Sequence, residues 1–396
     1  MKRHLGKIIG TFWRQALLYA LVIVVVVVVL WWQLGTLVPG LSVPEEFARM
    51  SADSFRKLVN YPLFLPHKII QYAFLRLGQH GSFWLRSASA LWGVAILVVF
   101  YDIIRSWYSR RIALLAGALL LTSAWFLHFA RIGTPYILFG TSIGLLWVGV
   151  KVKSTSAPRI RTILASICIF VVCLYVPGLA WLIIPMLIWQ RKVVLTEFVK
   201  IPRWLSVVTM LGVGVALSPL VYGLARHPHQ IFDWLLIPTR LNLGLFWSNA
   251  WHIPVWLILR GPEYPVYWLG HLPMFDSFSI VMGILGIFVL SYYRLLDRVK
   301  AVVAIFLLAI ILTALNGWLA LVIALPLFFV VIAAGMALFL QQWFTVFPRN
   351  PVARVVGVSL VAFVVALAVG YNLRSYFVAW PRNAETKQVF DSHLLL

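Results

Sequence analysis

The sequence predicts an all-α integral membrane protein with about eleven transmembrane helices. Of its 396 residues, 62% are hydrophobic, and the mean hydropathy is +0.95. These values exclude a water-soluble domain with an ordinary polar surface. A helix needs roughly 20 mainly apolar residues to cross a hydrocarbon core about 30 Å thick. The chain consists largely of such runs, separated by short charged clusters, and leaves no segment long enough for a separate soluble domain.

The apolar runs between the charged clusters are the predicted membrane helices. The first run is too long for the core of a signal peptide, and no small-residue cleavage site follows it, so we expect it to be retained. Pro177 and Gly178 indicate a tight turn between two short runs. The predicted spans are 15–37, 83–104, 112–130, 134–150, 162–175, 178–190, 204–223, 275–293, 300–315, 317–340 and 355–372.

The distribution of charge predicts that the N-terminus is cytoplasmic. This orientation places most of the 33 basic residues in inner segments, as the positive-inside rule requires. Of the 11 acidic residues, only Asp102, Glu197 and Asp297 then lie inside. The net charge of +22 therefore follows from topology, and no continuous basic face indicates nucleic-acid binding.

The same topology divides the chain into a polytopic domain over 1–372 and a short outward-facing tail over 373–396. The domain carries two long outer loops, 38–82 and 224–274. Within the first loop, apolar residues recur at helical spacing from Pro66 to Leu77, with Lys68, Gln71 and Arg76 between them. This pattern predicts an amphipathic helix that lies in the membrane interface.

Several classes of function lack support in the sequence. No charged residue falls near the middle of a predicted span, which argues against ion-coupled transport. Cys168 and Cys173 offer no disulfide framework. The loop histidines His227, His229 and His271 lack the spacing of metal ligands, and no glycine-rich phosphate loop is present. We therefore expect neither a metal nor another cofactor.

The most informative local feature is the adjacent pair Glu45 and Glu46, in the first outer loop of an acid-poor chain. A carboxylate can serve as a general base, and an arginine can hold an anion through two hydrogen bonds. The simpler interpretation is a pair of solvated acids beside a helix start, with Pro44 at the first helical position. Other candidate binding residues on the predicted outer face are Asp53, Arg86, His128, Arg131, Tyr136, Arg240 and Arg260.

The order and spacing of several short strings resemble the GT-C superfamily of membrane glycosyltransferases. The most similar branch is the family 39-like one of protein O-mannosyltransferases and the aminoarabinose transferase of lipid A. The resemblance covers the first 180 residues in detail and the remainder by layout. The strings are Glu45-Glu46, Asn60-Tyr61-Pro62-Leu63, Leu85-Arg86-Ser87-Ala88, Arg111-Ile112-Ala113-Leu114, and Trp125-Phe126-Leu127-His128-Phe129-Ala130-Arg131.

The resemblance implies an enzyme of the cell membrane whose active face is extracytoplasmic. Such an enzyme transfers a sugar, with inversion, from a polyprenyl-phosphate carrier to a protein, lipid or glycan acceptor. Glu45 or Glu46 would be the base, and Arg131 would hold the departing phosphate. Substrate contacts would come from His128, Tyr136, Asp53, Arg86 and Arg260. Its partners would be these substrates and membrane lipids.

Two departures from the family pattern leave alternatives open. The first-loop aspartate of the family is replaced by Glu45, and no acid lies near Thr134, so Asp233, Glu263 or Asp276 would have to supply a second carboxylate. A ligase or polymerase of lipid-linked glycans would use the same chemistry. The alternative outside enzymes is a non-catalytic transporter or an accessory protein of cell-envelope assembly. Under the simpler interpretations, Arg131 and His128 are interfacial residues and Asp53 is a surface or helix-capping acid.

Overall fold

The computed structural model describes residues 2–79, 81–154, 160–189, 191 and 202–390. Within these residues the chain is helical apart from one pair of antiparallel strands, β1 (Glu263–Tyr264) and β2 (Trp268–Leu269). The predicted all-α membrane class is therefore confirmed. The predicted inner residue Glu197 lies outside the described residues.

In the N-terminal half, the described residues form ten α-helices. A 3-10 helix, Pro135–Thr141, precedes the eighth of them. The helices are α1 Lys2–Trp31, α2 Val43–Ser51, α3 Phe55–Asn60, α4 Leu65–Arg76, α5 Ser82–Trp107, α6 Arg110–Thr122, α7 Ala124–Arg131, α8 Ser142–Ser154, α9 Ile160–Leu174 and α10 Ala180–Trp189.

The C-terminal half has helices of more varied length. A second 3-10 helix, Trp318–Ala324, leads into α16, and a π-helical turn, Ser375–Ala379, follows α17. The helices are α11 Arg203–Arg226, α12 Gln230–Leu235, α13 Leu243–Ile258, α14 Ser277–Tyr292, α15 Asp297–Asn316, α16 Leu325–Val346, α17 Pro351–Arg374, α18 Trp380–Arg382 and α19 Ala384–Phe390.

Each predicted span overlaps a helix, but fewer helices meet a length criterion for crossing a membrane. Among the described residues, five are long and apolar enough, and the number rises to six if α6 and α7, which bend by 63°, form one span. The protein is thus a multi-pass membrane protein, while the count of eleven and the orientation stay predictions. The five are Ser82–Trp107, Arg203–Arg226, Asp297–Asn316, Trp318–Val346 and Pro351–Arg382.

The first outer loop folds into α2, α3 and α4. Helix α4 coincides with the predicted amphipathic helix, and its apolar Ile69 and Leu77 are exposed. Its buried residues are Leu65 and three polar ones, His67, Lys68 and Gln71. The helix therefore turns its polar face to the protein and leaves an apolar face free for lipid, as expected of an interfacial helix.

The segment 318–346 is the most buried apolar span, and glycines allow α14 to lie directly against it. A Cβ atom on Gly286 would stand 1.9 Å from the Val331 carbonyl oxygen, and one on Gly335 would stand 1.9 Å from that of Met282. Membrane helices use small residues in this way because close backbone approach gains dispersion contacts that lipid cannot supply.

We predict that Gly286→Ala destabilises the protein by about 1–3 kcal/mol, because the added methyl group forces α14 away from α16. Gly283→Ala, three residues earlier, is the matched control. A Cβ atom at position 283 meets nothing within 4 Å, so alanine there keeps or raises stability through its higher helix propensity. Thermal unfolding in detergent measures the stability of both variants, and equal melting temperatures would contradict the close contact of α14 with α16.

Candidate functional site

The Glu45 carboxylate lies at the centre of a buried polar cluster and is fully inaccessible to solvent. Its Oε1 accepts hydrogen bonds from Arg86 Nε and the Gly133 amide, both at 2.8 Å. Its Oε2 accepts from Arg86 Nη2 at 3.2 Å, from the Ser42 amide at 3.0 Å and from Ser42 Oγ at 3.1 Å. Five donors occupy the roughly four lone-pair sites of a carboxylate, so neither oxygen is free.

The start of α2 explains how Glu45 comes to this position. Ser42, at the N-cap, and Glu45, three residues on, form a capping box in which the glutamate accepts the N-cap amide hydrogen. Pro44 fits the first turn because its missing N–H would be unpaired there. The spacing of Ser42 and Glu45 is a capping motif that is visible in the sequence. It is the signal that distinguishes Glu45, which turns inward, from Glu46.

Arg86, which lies in α5, is paired as completely as Glu45. Besides its two bonds to the carboxylate, its Nη1 donates to the carbonyl oxygens of Leu34 (3.1 Å) and Val38 (2.9 Å). Its Nη2 also donates to the Gly40 carbonyl at 2.9 Å. All five guanidinium N–H groups are thus used. Arg86 therefore fixes the chain that follows α1 and neutralises Glu45 inside the fold.

Four side chains from four elements hold the turn at Gly133 and Thr134. Glu45 accepts the Gly133 amide hydrogen, and Gln71 Nε2 donates to the Gly133 carbonyl at 2.9 Å. Ser89 Oγ donates to the Thr134 carbonyl, and the Tyr267 hydroxyl donates to Thr134 Oγ1, both at 3.0 Å. Burial raises the pKa of Tyr267 well above 10, so it stays a donor. A Cβ atom at position 133 would come within 3 Å of Leu85, which accounts for the glycine.

Helix α4 reaches the same turn through His67. Its Nε2 lies 2.9 Å from Ser89 Oγ, and because that hydroxyl donates onward to Thr134, the imidazole is the donor to Ser89. Burial, assisted by the charge of Lys68, lowers the pKa of His67 to about 3. Burial also lowers the pKa of Lys68 to about 8; its ammonium donates to the Tyr61 carbonyl at 2.9 Å.

Arg131 and His128 are buried, and neither forms an ion pair or a hydrogen bond with Glu45. Arg131 donates to the carbonyl oxygens of Val29 and Trp32 at the end of α1, and its guanidinium faces the ring of Phe377 at 4.6 Å. Its Nε has no partner among the described residues. His128 sits among three aromatic rings, with centroids 4.7 to 5.5 Å away, and no carboxylate contacts it. Arg131 thus caps α1, in the manner of basic residues at helix ends.

The predicted C-terminal tail covers this cluster. Tyr376, Trp380 and Phe390 are buried, and Trp380 Nε1 donates to the Pro265 carbonyl at 2.9 Å. The Phe390 ring lies 5.6 Å from the Arg86 guanidinium. Gly40, with φ of +89°, passes so close to the Phe390 carbonyl that a Cβ atom would stand 2.2 Å from it. Glu45 and Arg86 are therefore closed off from solvent in this structure.

The remaining predicted site residues lie at the surface in local ion pairs. Glu46 binds Arg49, Asp53 binds Lys57 at 2.7 Å, and Arg260 binds Glu263. The charge and hydrogen bond of Lys57 lower the pKa of Asp53. None of these carboxylates contacts Arg131, so the structure does not bring the predicted site residues together into one open site.

The open site lies next to the turn, in a cavity of about 590 Å³ that we call the Arg240 cavity. Tyr136 is the one predicted site residue in its wall. The cavity holds one carboxylate, Asp233, and one guanidinium, Arg240, both exposed. The sequence named Asp233 as a possible second acid and Arg240 as one of several outer arginines that could contact an anion. The lining is Leu63, Phe64, Tyr136, Phe139, Pro177, Phe232, Asp233, Leu236, Ile237, Pro238, Thr239, Arg240 and Asn316.

The loop that carries Asp233 and Arg240 is fixed to the helices by backbone contacts. Trp234 Nε1 donates to the Leu174 carbonyl at 2.7 Å, and the Gly178 amide donates to the Trp234 carbonyl at 2.8 Å. Asn316 Nδ2 donates to the Leu236 carbonyl at 2.8 Å. The cavity therefore has a defined rim, as preformed ligand sites commonly do. Among the described residues, no group of three or more His, Cys, Asp or Glu side chains could hold a metal ion.

Two proteins of solved structure share this fold, so the resemblance found in the sequence is confirmed at the level of the fold alone. ArnT from Cupriavidus metallidurans in the apo state is 17% identical with a TM-score of 0.54. The same protein bound to undecaprenyl phosphate is 17% identical with a TM-score of 0.53. In both cases the alignment covers 95% of this chain and 77% of ArnT.

A second protein with this fold is the archaeal oligosaccharyltransferase AglB from Archaeoglobus fulgidus, in complex with an inhibitory peptide and a dolichol-phosphate. It is 13% identical with a TM-score of 0.53, and 95% of this chain is covered. This chain spans only 56% of AglB. No protein-family model and no curated protein sequence matches the chain.

We predict that Glu45→Gln lowers the stability by about 3–5 kcal/mol, because it leaves the Arg86 charge buried without its counter-ion. Glu46→Gln is the matched control. It removes a partly exposed pair with Arg49, so it costs at most about 1 kcal/mol. Thermal or urea unfolding in detergent measures the difference, and equal losses for the two variants would contradict the burial of Glu45.

The lowered pKa of His67 predicts that the protein loses stability in mild acid. Its folded-state pKa of about 3 lies below the ordinary 6.5, so between these values only the unfolded chain binds the proton. The free energy of unfolding therefore has its full value above pH 6.5. It falls as the pH drops, by roughly 2 kcal/mol at pH 5. His67→Gln removes this contribution, so its melting temperature should change less than that of the wild type between pH 7 and 5. Parallel changes would contradict the buried neutral imidazole.

Proposed function

We propose that the protein is a glycosyltransferase that moves a sugar from a polyprenyl-phosphate-linked donor to an acceptor hydroxyl at the outer leaflet of the cell membrane. The observation that carries the proposal is the Arg240 cavity, which presents a cation and a carboxylate above apolar walls in a fold shared with ArnT and AglB. Undecaprenyl phosphate and dolichol-phosphate, present in those two structures, are ligands of the same chemical class.

The cavity matches the two parts of such a donor. Its volume of about 590 Å³ falls within the range of small-molecule sites. Phe64, Tyr136 and Phe139 offer ring surface for an isoprenyl segment or a sugar face, and they pack against one another at centroid distances of 5.5 to 6.1 Å. Arg240 can bind the phosphate through two parallel hydrogen bonds.

Asp233 is the carboxylate proposed to accept the proton of the acceptor hydroxyl. In the step, the acceptor oxygen forms a bond to the anomeric carbon while the bond from that carbon to the phosphate oxygen breaks. The proton goes to Asp233, and the polyprenyl phosphate leaves with the bonding electron pair, held by Arg240. Glu45 is less suited to this task because both its oxygens already accept hydrogen bonds from the protein.

Glu45 instead acts as a positioning residue in this proposal. Its bond to the Gly133 amide fixes the turn that leads into the 3-10 helix, and Tyr136 and Phe139 of that helix form one cavity wall. Loss of the bond would therefore displace a wall that contacts the substrate.

A second candidate is a non-catalytic accessory protein of envelope assembly. It is favoured by the closure of the Glu45 cluster under Tyr376, Trp380 and Phe390. In this reading the residues that the family resemblance assigns to catalysis serve only to stabilise the fold.

We expect Asp233→Asn to reduce transfer by at least about 100-fold, the usual contribution of a general base. Arg240→Gln should raise KM for the donor more than it lowers kcat. The measurement uses purified full-length protein in vesicles, radiolabelled polyprenyl-phosphate sugars and a membrane extract as the source of acceptor. Glu385→Gln, an exposed acid far along the chain in α19, is the control and should match the wild type.

Two results would contradict the assignment. Full activity of Asp233→Asn together with inactive, folded Glu46→Gln or Glu45→Asp would move the base to the first outer loop. If the wild-type protein transfers no sugar from any donor in the set, the result would favour a non-catalytic accessory protein.

A further inference from the structure

A second cavity opens between the first turns of α6 and α17 and the end of α16. Its volume is about 370 Å³. In the predicted topology it lies at the cytoplasmic end of the helices, opposite the Arg240 cavity. We call it the arginine groove, and it is lined by Arg111, Phe344, Arg354, Val355, Val358 and Ser359.

The two arginines give the groove an uncompensated positive charge. Arg111 and Arg354 are exposed, and neither forms a salt bridge with a carboxylate in the part of the chain that the structure describes. No acidic residue lines the cavity. The Arg354 guanidinium lies 5.0 Å from the centre of the Phe344 ring, and this cation–π contact restrains its position.

The ends of two helices add to this potential. Ser109 Oγ accepts the Ile112 amide hydrogen at the start of α6, and Asn350 Oδ1 accepts that of Ala353 at the start of α17. Both arginines stand within the first turn of their helix, where the helix dipole is positive and favours an anion.

The walls of the groove are rigid because α16 and α17 are in direct contact. Trp343 Nε1 donates to the Ala353 carbonyl at 2.8 Å. A Cβ atom on Gly357 would stand 2.4 Å from the Trp343 ring nitrogen, so only glycine permits this approach. The groove is therefore a preformed feature of the α16–α17 hairpin.

The exposed face of α17 beside the groove is apolar. Val352, Val356, Leu360 and Phe363 recur at helical spacing on that helix and are exposed. A cationic groove at the predicted membrane surface, next to an exposed apolar strip, matches the anionic headgroup and the acyl chains of a phospholipid. A free phosphate ion matches only the charged half.

We propose that the arginine groove binds an anionic phospholipid. Its phosphate lies between Arg111 and Arg354, its acyl chains run along the exposed strip of α17, and Ser359 donates a hydrogen bond to the headgroup or the glycerol ester. This proposal does not depend on the glycosyltransferase function, because the groove shares no residue with the Arg240 cavity.

The test measures lipid binding to the full-length protein by native mass spectrometry during titration with phosphatidylglycerol or phosphatidylcholine. A basic residue near anionic lipid contributes about fivefold in affinity, so Arg111→Gln combined with Arg354→Gln should weaken phosphatidylglycerol binding about thirtyfold. Binding of phosphatidylcholine should change little.

The matched control replaces two other arginines of the same predicted side, Arg110→Gln with Arg298→Gln. These stack on Tyr19 and Trp107 and do not line the groove. The control should weaken binding less than threefold. A third variant, Ser359→Trp, fills the groove while keeping both charges, and it should also weaken phosphatidylglycerol binding at least tenfold.

Three results would overturn the proposal. Equal weakening by the control pair would mean that the lipid senses only net charge. Full binding by Ser359→Trp would place the lipid elsewhere. Displacement of phosphatidylglycerol by millimolar inorganic phosphate or glycerol phosphate would show that the groove takes a soluble phosphate instead.

Discussion

The ion pair between Glu45 and Arg86 is the interaction on which the packing of α2, the segment after α1 and the Gly133 turn depends. Removal of both charges from water is costly, and it is tolerated only because every donor and acceptor of the pair is used. Through these bonds the pair joins the start of α2, the middle of the chain at Gly133 and the segment that follows α1.

That constraint extends to the proposed substrate site. The Gly133–Thr134 turn is fixed from α2, α4, α5 and the Tyr267 loop, so the 3-10 helix that follows it has one position. Tyr136 and Phe139 then form a stable wall for the Arg240 cavity. A buried polar centre that shapes an adjacent open site is a familiar arrangement in enzymes, where rigid support sets the geometry of the groups that contact substrate.

The sequence predicted the helical membrane class and the position of α4, because hydropathy and periodicity are local properties. It could not predict that Glu45 pairs with Arg86, which is 41 residues away and follows from tertiary packing. The Ser42 capping box was readable and would have indicated which glutamate turns inward. The cover formed by Tyr376, Trp380 and Phe390 was not readable, because aromatic residues beyond a last membrane helix are equally typical of an interfacial belt. Asp233 and Arg240 line the same cavity only because Trp234 and Asn316 hold the segment that carries them. These tertiary contacts could not be predicted from the sequence.

The two proposed lipid sites share the same chemistry, a guanidinium beside exposed ring or aliphatic surface. They differ in one respect. The Arg240 cavity contains a carboxylate, which a group-transfer site requires and a simple lipid site does not, whereas the arginine groove contains none.

A double-mutant cycle on Glu45→Gln and Arg86→Met, followed by urea unfolding in detergent, tests most directly whether this buried pair organises the segments around it. We predict a coupling free energy of about 2–3 kcal/mol, because either single change leaves a buried group unpaired and the double change does not. Single-variant losses that add to within about 0.5 kcal/mol in the double variant would contradict the account.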